Sequence, residues 1–353
     1  MNKIIFTAAI VFLVSSCLKD TNPEIIDVPD SYLSGPGFFI VNEGNFRAGN
    51  GSLSFFSYDS IKVYNNVFEA VNKRPLGDIP YSVSILGSNA YIIVNNSGKI
   101  EVADQNYMQS VTTYDGIKSP RYMAFLSDAK AYVTSLFSDS ITILNIASKT
   151  ISGYINLKHT SEQIVLHSSA AYVANWVGGN KVMVINTADD QVVDSIEVGM
   201  EPESMVLDGN SILWVLCNGG WKRDHYAELV GISTFNNMVE KRFIFPSITD
   251  SPTSLQISGD RRTLYFLWNG VRRMSVDAVN LPTGIFIPQA GYNFYRIAVN
   301  PGNGEIFVTD AADYQKRGNI LRYNSSGALL YVMQADIIPG NMCYKYNPDS
   351  SIQ

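Results

Sequence analysis

Histidine and cysteine are scarce in this chain. Only three of its 353 residues are histidine and only three are cysteine. His159, His167 and His225 lie far apart and lack the short spacing of zinc ligands, so the sequence predicts neither a metal site nor a metal cofactor. Cys217 and Cys343 lie inside apolar strand patterns, which predicts buried free thiols and no disulfide.

Positive charge is also in short supply. Lysine and arginine together number 26 against 32 acids, which gives a formal net charge of −6 and a pI near 5.1. Proteins that bind nucleic acid present basic grooves or patches, so this balance excludes nucleic acid as an expected partner. Residues 37–346 are numerous enough for one large domain.

The apolar segment at the N-terminus is too short to remain in a membrane as a spanning helix. Residues 4–14 follow Lys3 and are closed by small residues, so residues 1–17 are predicted to be an export signal. Val14-Ser15-Ser16-Cys17 resembles the lipobox of bacterial lipoproteins, whose cysteine thiol carries the lipid. Cys17 is therefore the predicted lipidation site, with a plain secretory signal and an incidental cysteine as the alternative.

The residues after Cys17 suggest where such a lipoprotein would be located. Leu18-Lys19-Asp20 resembles the signal that sends Bacteroidetes lipoproteins to the outer cell surface. We therefore expect a protein of the outer membrane, held there by its lipid anchor only and exposed at the cell surface. Residues 18–36 contain three prolines and several acids without periodicity, which predicts a flexible tether.

A short phrase recurs seven times from residue 37 onward: a small or apolar residue, an aromatic residue and a few strand-forming residues. Its aromatic positions lie between 40 and 52 residues apart. They are Phe39, Tyr91, Tyr132, Tyr172, Trp214, Tyr265 and Phe307. A repeat of this length in a chain rich in β-formers predicts four-stranded blades around an axis. We interpret the aromatic residues as packing between neighbouring blades and not as a platform for a ligand.

A second recurring phrase, often opened by proline, precedes most of these strands and predicts the innermost strand of each blade. Six copies precede aromatic strands, and Phe39 has none before it. The missing copy is found at the other end of the chain, in Pro339-Gly340-Asn341-Met342. The fold class predicted is therefore all-β: a seven-bladed β-propeller over residues 37–346, closed by its C-terminal strand joining the N-terminal blade, with residues 347–353 as a tail.

In such a fold, the residues after each second strand and before each inner strand surround one mouth. Here they are rich in amides and aromatic residues, which suit a polar ligand with flat faces. Two longer segments, residues 219–226 and 311–317, lie on the same rim. Tight turns are the alternative explanation for the asparagines and glycines. The predicted ligand-binding residues are Asn42, Glu43, Asn45, Arg121, Tyr122, Asn175, Trp176, Asn218, Trp221, Trp268, Asp310 and Tyr314.

Five short motifs of the chain are distinctive: Asn42-Glu43-Gly44-Asn45-Phe46, Asn50-Gly51-Ser52-Leu53-Ser54, Leu76-Gly77-Asp78, Ala131-Tyr132-Val133-Thr134 and Ala171-Tyr172-Val173-Ala174-Asn175. The first three resemble the opening of the YncE-like surface lipoproteins of Bacteroidetes, and the last two are similar to the YVTN-type repeat of that family. The Asn-Glu-Gly-Asn opening is similar to that of corrinoid-binding surface propellers. This resemblance implies a lipid-anchored protein that captures vitamin B12 or a related corrinoid and delivers it to a TonB-dependent outer-membrane transporter. Phe46 departs from the family pattern, which has tryptophan there.

The function expected is therefore non-enzymatic binding of a small nutrient, with a corrinoid as the first candidate ligand. An adhesion propeller that binds protein or glycan is the main alternative, since the same rim could contact a flat partner. A propeller hydrolase or lyase is the other alternative. Glu43, Asp78, Glu203 and Asp310 could approach one mouth, but no repeated axial position collects them and His225 stands alone.

Overall fold

The computed structural model describes residues 31–346, and these residues form seven antiparallel sheets arranged as the blades of a propeller. The first blade contains β1 to β3, and the next three contain β4 to β15. Their bounds are Gly37–Asn42, Ser52–Ser57, Lys62–Tyr64; Pro80–Leu86, Asn89–Val94, Lys99–Asp104, Ser110–Tyr114; Pro120–Phe125, Lys130–Ser135, Ser140–Asn145, Thr150–Asn156; Ile164–His167, Ala170–Asn175, Lys181–Asn186 and Gln191–Glu197.

The remaining strands, β16 to β27, complete the ring. Their bounds are Pro202–Leu207, Ile212–Cys217, Glu228–Ser233, Met238–Ile244; Thr253–Ile257, Thr263–Leu267, Val271–Ser275; Phe294–Val299, Ile306–Asp310, Arg317–Tyr323, Leu329–Ile337; and Pro339–Lys345. The helix α1, Val67–Asn72, lies between β3 and β4. No helix among residues 31–346 is long and apolar enough to cross a membrane.

The first strand of six blades, together with β27, forms a closed inner ring. Each of β27, β4, β8, β12, β16, β20 and β23 contacts the next, and β23 contacts β27 again. β27 pairs with β1 from Gly37 opposite Lys345 onward, so it completes the first blade. The predicted closure is confirmed, and its physical reason is that β1 would otherwise present an unpaired edge at the centre of the ring.

The recurring aromatic residues are buried in the seven blades, which confirms their interpretation as packing residues. Five of them are at most 2% exposed, and Tyr91 and Tyr265 are 3% and 7% exposed. Burying a side chain of this size stabilises the fold by roughly 1.5–3 kcal/mol. Cys217 and Cys343 are both free thiols, the first buried and the second half-buried.

The sixth blade differs from the predicted four strands, because its sheet contains only β20, β21 and β22. The chain after β22 approaches the sheet in a single bridge between Val271 and Ile287. Pro282 and Pro288 lack the N–H groups that a ladder requires, so residues 277–293 cover the edge as a loop.

The domain bounds predicted at the two ends fall mainly outside the described residues. This applies to the export signal of residues 1–17 with Cys17, to most of the tether of residues 18–36, and to the tail of residues 347–353. The last residues of the predicted tether pack on the fold: Leu33 is 1% exposed in the core around Phe39 and Phe55.

Candidate functional site

The inner strands carry an irregularity at the same end of the ring. In six of the seven, the pairing with the neighbouring strand shifts register after the first residue. A β-bulge of this kind re-aims a side chain out of the regular alternation. Four residues lie at these shifts: Tyr81, Arg121, Glu203 and Tyr295. Their side chains contact one another or the shared partner Arg296 near the axis. The bulges therefore create a layer of polar groups across one end of the channel.

One half of this axial layer is built around the ion pair between Arg121 and Glu162. Arg121 donates from Nε to Glu162 Oε2 at 2.8 Å and from Nη2 to Oε1 at 2.7 Å. The Tyr81 hydroxyl donates to Glu162 Oε1 at 2.9 Å, and its ring lies 3.3 Å from the guanidinium carbon. Although burial works against its charge, the Glu162 carboxylate raises the pKa of Arg121 further above its ordinary value.

The other half is built around Arg296 and Glu203. Arg296 Nη1 lies 3.5 Å from Glu203 Oε1, and Nη2 donates to the Tyr81 hydroxyl at 3.3 Å. Glu203 Oε2 accepts from the Ser254 N–H at 2.9 Å. Burial opposes the charge of Arg296, but Tyr81, Tyr295 and Glu203 around it raise its pKa well above its ordinary value. Both arginines are therefore fixed cations.

Glu43 joins this layer from the loop after β1. Its Oε1 accepts from the Tyr295 hydroxyl at 2.8 Å, and burial raises the pKa of its carboxyl despite nearby Arg296. Burial also raises the pKa of Tyr295 well above its ordinary value, and the pKa of Tyr81 to about 12. The phenols are thus hydrogen-bond donors at neutral pH and not bases.

A cavity of about 330 Å³ opens above this layer at the mouth. Its walls come from the fourth, fifth, sixth and seventh blades and from the two longer rim segments. The lining residues are Trp176, Glu201, Glu203, Asn218, Gly220, Trp221, Arg223, Ser251, Thr253, Phe294, Tyr295, Arg296 and Tyr314. This lining contains neither histidine nor cysteine, and no group of three His, Cys, Asp or Glu side chains within residues 31–346 could hold a metal ion. Its chemistry is hydrogen bonding, fixed charge and aromatic surface.

The segment 219–226 is shaped by two glycines. Gly219 and Gly220 have φ values of +83° and +82°, and a Cβ on Gly219 would lie 2.7 Å from the carbonyl oxygen of His225. Asn218 Oδ1 accepts from the Gly220 N–H at 2.9 Å. This turn presents Trp221 on the rim with 81% of its surface exposed.

The structure brings four of the predicted binding residues together in the mouth cavity. These four are Trp176, Asn218, Trp221 and Tyr314. Three more, Glu43, Arg121 and Tyr122, lie in or beside the axial layer. Asn45 lies on the rim, where its side-chain amide donates to the Tyr314 carbonyl at 2.9 Å.

The other four predicted residues do not line this cavity. Asn42 donates to Ser52 and Ser54 within its own blade. Asn175 donates to the Thr160 carbonyl. The Asp310 carboxylate accepts hydrogen bonds from the N–H groups of the turns beside it and from Asn319. The Trp268 indole N–H donates to Asp250, and the centroid of its ring lies 4.9 Å from that of Phe245.

Arg296 and Glu162 belong to the repeated phrase that predicts inner strands, but neither is among the predicted binding residues. In the structure Arg296 lies in β23, and Glu162 lies just before β12. Arg296 is 9% exposed and Glu162 is 1% exposed. The available signal was a charged residue next to an otherwise apolar strand start, as in Arg296-Ile297-Ala298-Val299. Charged residues are seldom buried without a partner, so a charged residue at the start of an inner strand is a signal for a buried ion pair.

The fold and the mouth define a seven-bladed β-propeller with a polar, aromatic-lined cavity over a charged axial layer. The chain belongs to the DUF5074 family, described as a domain of unknown function, whose model matches residues 36–336. No curated protein matches the sequence.

Solved structures share the fold at low identity. A quinonprotein alcohol dehydrogenase-like protein from Bacteroides thetaiotaomicron matches 90% of this chain and 79% of its own, with a TM-score of 0.70 and 14% identity. A functionally unknown protein from Desulfotomaculum acetoxidans matches 88% of this chain and 99% of its own, with a TM-score of 0.64 and 14% identity. Kuenenia stuttgartiensis hydrazine synthase matches 78% of this chain and 96% of its own, with a TM-score of 0.60 and 14% identity. These likenesses establish the fold alone.

Proposed function

We propose that this protein is a non-enzymatic binding protein whose mouth cavity captures a small nutrient, with a corrinoid such as vitamin B12 as the first candidate. The observation that supports this proposal is the mouth itself: one end of a rigid ring presents fixed hydrogen-bonding groups beside aromatic side chains. The proposal extends to a lipid anchor at Cys17, an outer-membrane surface location and delivery to a TonB-dependent transporter, all of which come from the sequence resemblance.

The exposed aromatic residues on the rim support a ligand with a flat face. Trp221 is 81% exposed and Tyr314 is 43% exposed, and both line the cavity. Aromatic rings held on a rim offer apolar contact at a small cost in conformational entropy. A cavity of about 330 Å³ suits one arm of a large ligand, so a corrin ring would lie across the rim with one peripheral group inside.

The acids of the axial layer favour binding over catalysis. Glu162 is held by Arg121 and Tyr81, and Glu203 by the Ser254 N–H and Arg296. A general base requires a free carboxylate or imidazole close to a nucleophile, and these carboxylates are engaged in hydrogen bonds. Fixed dipoles and paired charges are suited to recognition of a polar group.

A glycan is the second candidate ligand, because the exposed face of Trp221 beside a polar cavity would also suit a sugar ring. This alternative uses the same mouth, so the two candidates are separated by ligand and not by site.

Calorimetric titration tests the proposal. One compact unit begins at Ser31, so a protein of residues 27–353 contains the whole mouth. We expect binding of both cyanocobalamin and cobinamide, because the shared corrin ring would contact the rim. Trp221→Ala should weaken binding by about tenfold. Phe235→Ala, which alters an aromatic residue that is 96% exposed and outside the mouth lining, is the matched control. If neither corrinoid binds, the corrinoid proposal is contradicted. A heat of binding on titration with oligosaccharides instead would favour a glycan ligand.

A further inference from the structure

Three buried polar atoms around the mouth cavity have no hydrogen-bond partner among residues 31–346. They are Trp176 Nε1, Glu201 Oε2 and Arg296 Nε. All three residues line the same cavity, and Glu201 and Arg296 are only 5% and 9% exposed. Two of the atoms are N–H donors and the third is a carboxylate acceptor.

The neighbouring atoms of these side chains are already engaged. Glu201 Oε1 accepts from the Gly178 N–H at 3.3 Å, and Glu201 forms no ion pair within the described part of the chain. Arg296 Nη1 and Nη2 contact Glu203, the Tyr295 carbonyl and the Tyr81 hydroxyl. A buried polar atom without a partner costs roughly 1–3 kcal/mol, so three around one cavity indicate a site built to receive a polar group.

The combination of donors and acceptor selects the chemistry of that group. A primary carboxamide would donate from its NH2 to Glu201 Oε2 and would accept at its carbonyl oxygen from Trp176 Nε1 and Arg296 Nε. A carboxylate would leave Glu201 without a donor and would be repelled by it. An amine would leave both N–H donors without an acceptor.

We propose that the Trp176, Glu201 and Arg296 side chains form a carboxamide-binding subsite at the base of the mouth. This proposal rests on the proposed function, in that it assumes the mouth binds a ligand, and it names the group that enters first. Corrinoids carry carboxamides around their rim, so a corrinoid satisfies it, as does any other ligand with an exposed primary amide.

The subsite requires movement on binding, because solvent does not reach the three atoms in the present arrangement. The Trp176 ring covers Arg121, whose guanidinium carbon lies 5.3 Å from the ring centroid. Rotation of this indole would expose its own N–H to the cavity. The Trp176 indole N–H is therefore the reporter of choice.

The test is a two-dimensional 1H–15N spectrum of residues 27–353 with nicotinamide or nicotinate as probe. The chain has four tryptophans, so Trp→Phe variants assign their indole N–H signals one by one. We expect nicotinamide to shift the Trp176 signal in a saturable way and nicotinate to bind at least about tenfold more weakly. The Trp268 signal, whose N–H is bonded to Asp250 outside the lining, should not move.

Glu201→Gln provides the decisive variant. The glutamine Oε1 would keep the bond from Gly178, so its NH2 would replace the free oxygen and turn the subsite into three donors. We expect this variant to reverse the preference, binding nicotinate better than nicotinamide. Trp176→Phe should weaken the affinity for nicotinamide by about tenfold. Trp268→Phe, the matched control, should leave the affinity unchanged.

The outcomes separate this inference from the proposed function. If cyanocobalamin binds but neither probe moves the Trp176 signal, the carboxamide subsite is overturned and the corrinoid proposal stands. If nicotinamide shifts Trp176 and cyanocobalamin does not bind, the subsite stands and the corrinoid proposal fails. Equal binding of nicotinamide and nicotinate, or an unchanged preference in Glu201→Gln, would also overturn the subsite.

Discussion

Glu203 and Arg296 lie 3.5 Å apart, Oε1 to Nη1, and together separate two cavities on the propeller axis. Both residues line the mouth cavity of about 330 Å³ and a second cavity of about 210 Å³ inside the channel. The second cavity is lined from every blade, including Ser82, Tyr122 and Asn341. The ion pair is therefore the floor of the mouth, and the arginine that would contact a ligand is fixed by groups from other blades.

Breaking this pair should destabilise the fold strongly. Arg296→Met leaves Glu203 as a buried carboxylate without its cation, which typically costs about 3–5 kcal/mol. We expect a loss of that size in the free energy of unfolding, measured by urea denaturation. Lys316→Met is the control, because its pair with Asp313 is solvent-exposed and should contribute less than about 1 kcal/mol. Similar losses in the two variants would contradict the role of Arg296 as a buried structural cation.

Glu43 should make the protein less stable as the pH rises. Burial raises the pKa of its carboxyl in the folded state, so above about pH 4.5 the unfolded chain releases a proton that the folded chain retains. Each unit of such an elevation weakens folding by about 1.4 kcal/mol once the pH exceeds the folded pKa. Glu43→Gln should remove this decline in urea midpoints measured from about pH 5 to pH 8.

The control for this experiment is Glu69→Gln, which alters an exposed acid on α1 and should leave the pH profile unchanged. A Glu43→Gln profile parallel to that of the unmodified protein would show that the Glu43 carboxyl does not titrate abnormally.

Lys345 should produce the opposite trend at higher pH. This buried amine in β27 donates to the Leu33 carbonyl and to Asn106 Oδ1, and burial lowers its pKa to about 8. Between about pH 8 and its ordinary pKa of 10.5, the unfolded chain binds a proton that the folded chain does not, so stability should rise with pH. After allowance for solvent screening we expect a rise of about 1 kcal/mol.

Urea midpoints at about pH 7.5 and pH 10 measure this rise, and Lys345→Met should abolish it. Lys158→Met, at an exposed position far along the chain, should retain it. An identical rise in both variants would assign the trend to other groups.

Closure by β27 should be essential for cooperative folding. A chain that ends at Ile338 lacks the strand that pairs with β1, and the ring loses one of its seven inner strands. Exposed strand edges of this kind promote aggregation. We expect the shortened chain to lose its single cooperative transition in thermal circular dichroism. A chain that ends at Tyr346 keeps β27 and should melt as the longer protein does; a cooperative transition in both would contradict the closure argument.

The repeated pattern of apolar and aromatic residues was enough to predict most strands of the fold. The alternation around Tyr91, Tyr132 and Tyr172 placed second strands correctly, because burial between blades selects the same residue type at each repeat. The helix α1 and the missing fourth strand of the sixth blade were not predicted. Each interrupts the repeat only once, and a repeating pattern predicts only the features that recur in every blade.

The candidate site was predicted less completely for a geometric reason. The longer rim segments placed Trp221 and Tyr314 at the mouth, and the structure brings both into one cavity. Asn42 and Asp310 have the same residue chemistry as a binding group, but their side chains bond to neighbouring strands and turns of the propeller and not to the cavity. Whether an amide side chain faces the cavity or its own turn depends on the local backbone geometry, which cannot be read from the residue types alone.

The amino-acid sequence by itself determined the number of blades, their closure and the face on which the mouth lies. These properties follow from repeats, chain order and strand alternation, which are local or topological. Only the tertiary structure decided that Arg121 meets Glu162, that Arg296 meets Glu203, and that Trp176 and Glu201 share a cavity. Those contacts join residues from different blades. Bulges at the inner strand ends turn Arg121 and Glu203 toward the axis, and a shift of one residue in register changes which side chain faces it.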